Sequence, residues 1–121
     1  MTTTPQKPSY KQGDVVLVLF PNTDLRTAKR RPAVIVQADQ LQTGLPQIIV
    51  AMITSNMARA PHASRIVVYQ RSVEGKQAGI LTDSVVMTDN LATVGEAAIE
   101  RRIGALAIPS LLNALRHTFA I

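Results

Sequence analysis

The chain has 121 residues, no cysteine, 46% hydrophobic residues and a formal net charge of +5 at pH 7. This length allows one domain with a single core, and the lack of cysteine excludes disulfides and thiolate metal sites. The start carries no signal-peptide pattern and no apolar run reaches about 18 residues, which predicts a cytoplasmic protein without a membrane span. We expect residues 1–11, rich in Thr, Pro, Gln and Lys, to be a flexible tail before a single domain over 12–121.

Short apolar runs rich in β-branched residues predict strands. They are Val15–Phe20, Ala33–Val36, Ile48–Ile53, Ile66–Tyr69 and Ser84–Met87. Most runs are continuous rather than alternating, which predicts cover on both faces of the sheet, as in a small closed barrel with a helix or partner subunit outside. Turn residues at 21–24, 43–46, 74–76 and 88–90 separate the runs and predict a strand meander.

The end of the chain has the pattern of an amphipathic helix. Pro109 suits a first helical position, and cations near position 116 suit the last turn. The apolar residues at helical spacing, which we expect to face the core, are Leu111, Leu112, Leu115 and Phe119. Segment 94–107 fits either a short helix or the start of a strand, and this alternative stays open. The predicted fold class is therefore mainly β (α+β), a small barrel with a C-terminal α-helix.

Positive charge is concentrated in two parts of the sequence. The six residues Arg26–Arg31 carry four cations, and Pro32 then requires an extended backbone. Segment 40–73 contains no Asp or Glu. The cations and histidine within it are Arg59, His62, Arg65 and Arg71. Clustered cations favour a polyanionic partner. An ordinary basic surface that contacts only solvent explains the same clusters equally well.

Several enzyme classes lack their sequence signatures. There is no phosphate-binding loop, dinucleotide fingerprint, nucleophile elbow or zinc-protease motif. Two histidines alone cannot form a zinc centre, so no metal and no cofactor is predicted. The chain has two Phe, two Tyr and no Trp, which is too few aromatic residues to predict a surface on which successive bases stack. Any contact with nucleic acid should therefore be mostly electrostatic.

Two hydroxyl side chains, Thr54 and Ser55, directly follow the predicted strand Ile48–Ile53. We expect them at the mouth of the barrel. Such residues after a strand usually cap a turn by bonding local backbone, which is the structural alternative to a role in binding or catalysis.

Four segments, taken in order and spacing, resemble the MazF/PemK (Kid-like) toxins of bacterial type II toxin–antitoxin systems. The segments are Tyr10–Val16, Thr23–Val34, Ile53–Ser55 and Asp83–Asp89. The resemblance extends from Tyr10 to the terminal helix. It implies an SH3-like barrel with an added C-terminal helix, a homodimer, and an acidic cognate antitoxin. It also implies a metal-independent, ribosome-independent endoribonuclease that cleaves single-stranded RNA at short sequences.

The resemblance also assigns site residues. The family's catalytic Arg before Pro and Thr after the third strand correspond to Arg31 and Thr54, and Asp89 matches an acidic position near the cleavage site. The chain departs from the pattern at Met87, where the Kid-like branch carries an arginine, and at Leu91-Ala92, which replaces an Arg-containing pair. These departures bear on the mechanism and the rate.

Metal-free RNA cleavage can use the substrate's own 2′-hydroxyl as nucleophile, giving a 2′,3′-cyclic phosphate and a 5′-hydroxyl. Arg31 suits stabilisation of the phosphorane, and Thr54 and Ser55 can donate further hydrogen bonds. Arginine holds its proton too firmly to act as the base. Asp89, as proton acceptor or as a group orienting Arg31, and His62 are the candidates, although a loop histidine is more often merely solvated. The residues predicted to bind the RNA chain are Lys29, Arg30, Arg59, His62 and Arg65.

Two alternatives remain. CcdB toxins share this barrel and inhibit DNA gyrase through a C-terminal helix ending in an exposed aromatic pair, whereas this chain has one aromatic, Phe119, at a core-facing spacing. A catalytically inactive binding module is the other alternative, because the family arginines that correspond to Met87 and to the pair Leu91-Ala92 are missing.

Overall fold

The computed structural model describes residues 9–21 and 24–121 and gives a mainly β fold. Its elements are β1 (Asp14–Pro21), β2 (Ala28–Ile35), β3 (Gln47–Thr54), a 3₁₀ helix (Met57–Arg59), β4 (Arg65–Val68), α1 (Val73–Ala78), β5 (Ser84–Gly95), a second 3₁₀ helix (Glu96–Ala98), β6 (Ile99–Ala105) and α2 (Ile108–Phe119). The predicted fold class is confirmed: one curled, antiparallel, six-stranded sheet carries a C-terminal helix. Within the described ranges no helix is long and apolar enough to cross a membrane.

The strand order in the sheet is β4-β5-β3-β2-β1-β6. The first three strands are sequential antiparallel neighbours, as in the predicted meander. The meander prediction is wrong for the second half of the chain. There β5 pairs with β4 on one side and returns to β3 on the other, while β6 crosses over to the outer edge of β1. This arrangement is possible because an interior strand has two edges: residues 85–87 of β5 pair with β4 along one edge and with β3 along the other.

Both faces of the sheet are covered, as the continuous apolar runs predicted. Val15 and Val34 belong to one buried cluster, which includes Leu111 of α2. The neighbouring residues Val16 and Ile35 belong to a second cluster on the other face. Successive strand residues point to opposite faces, so a strand with no polar alternation needs a core on each side.

The turn predicted at 74–76 is wrong, because these residues belong to helix α1. Ser72 caps the helix by accepting a hydrogen bond from the backbone N–H of Gly75 at 2.9 Å. Gly79 ends it in the left-handed region, with φ +70°. A side chain at Gly75 would collide with the carbonyl of Tyr69, so this glycine permits close packing and does not mark a turn.

The turn predicted at 88–90 is also wrong, because β5 continues through it. Ala51 of β3 pairs with Leu91, and the next residue, Met52, pairs with Met87. Residues 88–90 therefore have no partner in β3 and form a bulge, which we call the β5 bulge. Turn-type residues suit a bulge because both require the chain to leave regular strand geometry.

The segment left open at 94–107 consists of the end of β5, the second 3₁₀ helix and β6. Helix α2 has Pro109 in its first turn and basic residues in its last, as predicted. The core-facing position of Phe119 is wrong, because 53% of this residue is exposed. The buried stripe of α2 contains Leu111 and Ala114, whereas Phe119 is exposed one turn after the half-buried Leu115.

Candidate nucleic-acid interface

Three of the four cations of the basic cluster lie within a strand and not before it, because β2 begins at Ala28 and only Arg26 precedes it. Its first four residues are exposed and its last three are buried. Asp24 orders the segment just before β2. It accepts hydrogen bonds from the backbone N–H groups of Arg26 at 2.9 Å and Thr27 at 3.1 Å. These bonds hold the pKa of Asp24 below its ordinary value. The exposed half of β2 thus presents cations from a fixed backbone.

Arg31 and Thr54 lie on the same face of the sheet. Ala33 of β2 pairs with Met52 of β3, where the β2–β3 pairing ends. Arg31 is two residues before Ala33, and Thr54 is two residues after Met52. Alternate residues of a strand share a face, and so do paired residues of neighbouring strands, so Arg31 and Thr54 both project from the face of Ala33 and Met52, beyond the end of the pairing.

The hydroxyl of Thr54 has a local structural role. Its Oγ1 accepts a hydrogen bond from the backbone N–H of Asn56 at 3.1 Å. The turn-capping role considered from the sequence is therefore present. A hydroxyl that accepts one bond still has its own proton to donate. Thr54 can thus cap this turn and donate a hydrogen bond to a ligand at the same time.

A cavity of about 630 Å³ opens at this end of the sheet. Part of its lining is polar and cationic, and part is apolar. The predicted site residues that it brings together are Lys29, Arg30, Arg31, Thr54, Ser55 and Arg59. Catalytic and RNA-binding candidates from β2, β3 and the first 3₁₀ helix therefore share one concave surface.

The cavity is strongly cationic. It is lined by four cationic residues and, among the described residues, by no carboxylate. Arg30 makes an ion pair with Glu100 of β6 at 2.7 Å, but both side chains are substantially exposed, so the pair is weak. Among the residues that the structure describes, none forms an ion pair with Lys29, Arg31 or Arg59. These cations are available to an anionic ligand.

Three predicted site residues, Asp89, Arg65 and His62, lie outside the described lining of the cavity. Asp89 projects from the β5 bulge and is held by the guanidinium of Arg65, with Nη2 to Oδ2 at 2.8 Å and Nε to Oδ1 at 3.3 Å. This pairing holds the pKa of Asp89 below its ordinary value. A carboxylate bound in this way is a poor proton acceptor.

His62 lies in the loop before β4 and is exposed. Its Nδ1 accepts a hydrogen bond from the backbone N–H of Ser64 at 3.0 Å. The imidazole therefore orders its own loop, and its second nitrogen remains available to solvent.

Sequence reasoning missed part of the lining. The other lining residues are Pro32, Met52, Ile53, Ser84, Met87 and Asn90. Of these, Met87 is the last residue of a predicted strand and a departure from the family pattern, and Asn90 is a predicted turn residue; neither is predicted as a site residue. Their place in the cavity depends on the β5 bulge, which a strand-and-turn reading does not reveal. No group of three or more His, Cys, Asp or Glu that could hold a metal occurs in the part of the chain that the structure describes.

Comparison with known proteins gives one family match. The model for the PemK-like, MazF-like toxin of type II toxin–antitoxin systems matches residues 11–119.

Solved structures share the fold. The toxin MazF-mt6 of Mycobacterium tuberculosis superposes with a TM-score of 0.67 at 24% identity, over 89% of this chain and 97% of that chain. An endoribonuclease from Mycobacterial species, in complex with its cognate antitoxin, gives 0.67 at 15% identity, over 93% and 96%. A MazE-MazF structure from Deinococcus radiodurans gives 0.70 at 13% identity, over 94% and 99%.

Proposed function

Since this chain belongs to the PemK-like, MazF-like toxin family of type II toxin–antitoxin systems, we propose that it is an endoribonuclease that cleaves single-stranded RNA. The observation that carries the proposal is the shared cavity in which Arg31 of β2 and Thr54 of β3 lie on the same face of the sheet. A phosphodiester in this cavity has cationic groups on one side and hydroxyl donors on the other.

In the proposed reaction, the 2′-hydroxyl oxygen attacks the adjacent phosphorus and the bond from phosphorus to the 5′-oxygen breaks. The products are a 2′,3′-cyclic phosphate and a 5′-hydroxyl end. Arg31 binds the non-bridging oxygens with its planar fork, because negative charge accumulates there in the transition state. Thr54 and Ser55 donate hydrogen bonds to the same phosphate.

The 2′-hydroxyl must also lose a proton, which passes to solvent water in the open cavity, and the departing 5′-oxygen takes up a proton from solvent to become the 5′-hydroxyl. The described lining of the cavity contains no His, Asp or Glu, and arginine and lysine keep their protons near neutral pH. Asp89 is bound by Arg65, and His62 is exposed in its loop. We propose that Arg31 contributes by stabilising the charge of the attacking oxygen and the phosphorane, with no metal ion, and that Asp89 acts by orienting its arginine partner.

The RNA chain on either side of the cleaved bond is bound by cations. Lys29, Arg30 and Arg59 line the cavity, and each can contact one phosphate. Arg30 would exchange its exposed partner Glu100 for a phosphate. Because these contacts involve the backbone of the nucleic acid, RNA binding should weaken as salt concentration rises.

We propose further that the protein is a homodimer and that an acidic cognate antitoxin inhibits it. An apolar groove of about 420 Å³ beside α2 supports contact with a second copy of the chain. Its lining includes Leu41, Leu112, Leu115, Phe119 and Ile121. The cationic cavity suits an acidic segment, which would exclude RNA. Light scattering on the Phe119→Asp variant tests the dimer, and a loss of mass relative to the unsubstituted chain is expected.

The test of the activity is cleavage of a long RNA of mixed sequence in the presence of EDTA. Primer extension maps the cut sites, and direct labelling by polynucleotide kinase detects 5′-hydroxyl ends. Arg31→Ala and Thr54→Ala should each abolish cleavage. The matched control is Arg102→Ala, since Arg102 is an exposed arginine outside the cavity that is paired with Asp14. RNA that stays intact in EDTA with the unsubstituted protein would contradict the proposal.

One observation favours a second candidate function, inhibition of DNA gyrase. Phe119 at the end of α2 is exposed, as is Ile121 after it, so the helix presents apolar groups for contact with another protein. A supercoiling assay discriminates between the two functions. Gyrase inhibition that persists in the Arg31→Ala and Thr54→Ala variants, without RNA cleavage by the unsubstituted chain, would favour this candidate.

A further inference from the structure

The side chain of Arg65 joins two separate parts of the molecule. Two of its nitrogens bind the carboxylate of Asp89 in the β5 bulge, at 2.8 and 3.3 Å. A third, Nη1, donates to the backbone carbonyl of Arg59 at 2.9 Å. Arg65 is mostly buried, with 19% of its side chain exposed, so it is fixed in this position.

The segment that Arg65 holds is the first 3₁₀ helix, which ends at Arg59. The start of this helix is also fixed, because Asn56 accepts a hydrogen bond from the N–H of Ala58 at 3.2 Å, while Thr54 accepts one from Asn56. A three-residue helix has little stability of its own. The side-chain contacts at its two ends therefore decide where Arg59 meets the cavity.

We propose that Arg65 and Asp89 are a positioning pair that holds Arg59 at the cavity for contact with an RNA phosphate. The inference rests on the proposed function, since RNA is the ligand. It assigns to Arg65 and Asp89 no direct contact with the reacting atoms. Arg65 holds the backbone of Arg59, and Asp89 holds the guanidinium of Arg65 in the orientation that this requires.

Simple electrostatics makes the opposite prediction for Asp89. Replacing this aspartate by asparagine removes one negative charge from a chain of net charge +5 and releases Arg65. If only charge mattered, RNA would bind more tightly. Under the positioning proposal, RNA binds more weakly, because Arg59 is no longer held at the cavity. The sign of the change separates the two accounts.

The experiment measures binding of a short fluorescent single-stranded oligonucleotide of mixed sequence, with 2′-O-methyl sugars that prevent cleavage. Asp89→Asn should weaken binding by about tenfold, and the slope of log affinity against log salt should become less steep by about 0.7, the loss of one phosphate contact. The matched control is Asp14→Asn, which has the same charge change. Asp14 is also paired with an arginine, at 2.9 Å, but it does not line the cavity. The affinity of the Asp14→Asn variant for the oligonucleotide should not fall.

A second variant, Arg65→Lys, tests the proposal independently in case Asp89→Asn does not fold. Arg65→Lys keeps the charge, but a single ammonium group cannot reproduce the planar fork that contacts Asp89 and Arg59 together. It should weaken binding to a similar extent. Circular dichroism establishes whether each variant is folded.

A double-mutant cycle with Arg59→Ala provides the readout that a general structural role would not give. If the pair acts through Arg59, Asp89→Asn should have no further effect on affinity or salt slope in the Arg59→Ala background. Independent, additive losses would overturn the proposal. So would unchanged or tighter binding by folded Asp89→Asn or Arg65→Lys. Failure of the unsubstituted protein to bind the oligonucleotide would instead overturn the proposed function.

Discussion

The hydroxyl group of Thr54 caps a turn and, in the proposed function, also donates a hydrogen bond to the RNA. Its oxygen accepts the backbone N–H of Asn56, which starts the 3₁₀ helix that leads to Arg59. Its proton remains free for a ligand in the cavity. The orientation of this donor is therefore set by the turn that it caps, which is the kind of preorganisation that favours transition-state stabilisation.

Two substitutions at Thr54 should distinguish the contribution of its hydroxyl group to the cleavage rate from that of its methyl group. Thr54→Val keeps the shape and removes both hydrogen bonds, and we expect cleavage to slow by about 100-fold or more. Thr54→Ser keeps the hydroxyl and should stay within about tenfold of the unsubstituted rate. Initial rates of RNA cleavage in EDTA measure both. Equal losses in the two variants would contradict a role for the hydroxyl.

The substitution Met87→Arg tests whether the departure from the family pattern at this position affects RNA binding. It lines the cavity across from Met52, at a position where the Kid-like branch carries an arginine. Met87→Arg adds a cation to a surface without a described carboxylate. We expect tighter RNA binding and a salt slope steeper by about 0.7, measured with the non-cleavable oligonucleotide. Arg introduced at the exposed position Thr93, outside the described lining, is the control for added charge.

Individual residues differed in how far the sequence could predict them. Arg31 and Thr54 could be placed because each lies next to a clear strand signal, Pro32 on one side and the run ending at Ile53 on the other. The contact between Arg65 and Asp89 joins residues 24 positions apart through a bulge. No local pattern encodes such a contact, because it depends on how β4 and β5 pair.

Helix α1 packs on β6 through glycines. A side chain at Gly104 of β6 would collide with the backbone of Ala78 at the end of α1, and one at Gly79 would collide with the carbonyl of Ile103. The two backbones therefore approach each other more closely than any residue with a Cβ would allow. This contact attaches the β4–β5 connection to the far edge of the sheet.

Gly104→Ala should destabilise the protein by about 1–3 kcal/mol, because the collision is with backbone and cannot be relieved by a change of rotamer. Gly95→Ala is the matched control. Gly95 is in extended backbone with open space around its Cβ position, so its substitution should change the free energy of unfolding by no more than about 0.5 kcal/mol. Urea denaturation measures both. A similar effect at the two sites would contradict the close-packing account.

Strand elements were predictable where hydrophobicity was continuous, as in Ile48–Ile53, because a doubly buried strand needs apolar residues on both faces. Polar strand segments were not. The exposed first half of β2 and the β5 bulge have compositions that local rules assign to loops or turns, and Glu100–Arg102 of β6 fits a short helix as well as a strand. They are held in the sheet by neighbouring strands, so tertiary context overrides their local preference.

For the molecule as a whole, acid stability should depend partly on Asp89. Arg65 lowers the pKa of Asp89 in the folded state below its ordinary value of 3.8. The resulting stabilisation is present above that ordinary value and is lost as pH falls through the folded pKa. It should amount to about 1 kcal/mol or less, since the pair is partly exposed.

Thermal unfolding as a function of pH measures this contribution. The gap in melting temperature between the unsubstituted chain and Asp89→Asn should be largest above about pH 4 and should close in stronger acid. Arg65→Gln should show the same convergence. A gap that stays constant down to the lowest pH would contradict the assignment.

The charge of the whole molecule is unevenly distributed. Four cations converge on one cavity, while the ion pairs described elsewhere, Arg65 with Asp89 and Arg102 with Asp14, neutralise other arginines. Four of the 13 lysines and arginines of the chain thus lie around one cavity whose described lining contains no carboxylate. An anionic partner should be steered to that end of the sheet in preference to the rest of the surface.

The three residues of the β5 bulge point to different surroundings. Thr88 is buried against Ser64 and α2, Asp89 binds Arg65, and Asn90 lines the cavity. Because none of them pairs with β3, the side chain at position 90 can vary without loss of inter-strand pairing there. Evolution, or a laboratory library randomised at this one codon, can thus vary the lining of the proposed RNA site while the pairing of β5 with β3 stays intact.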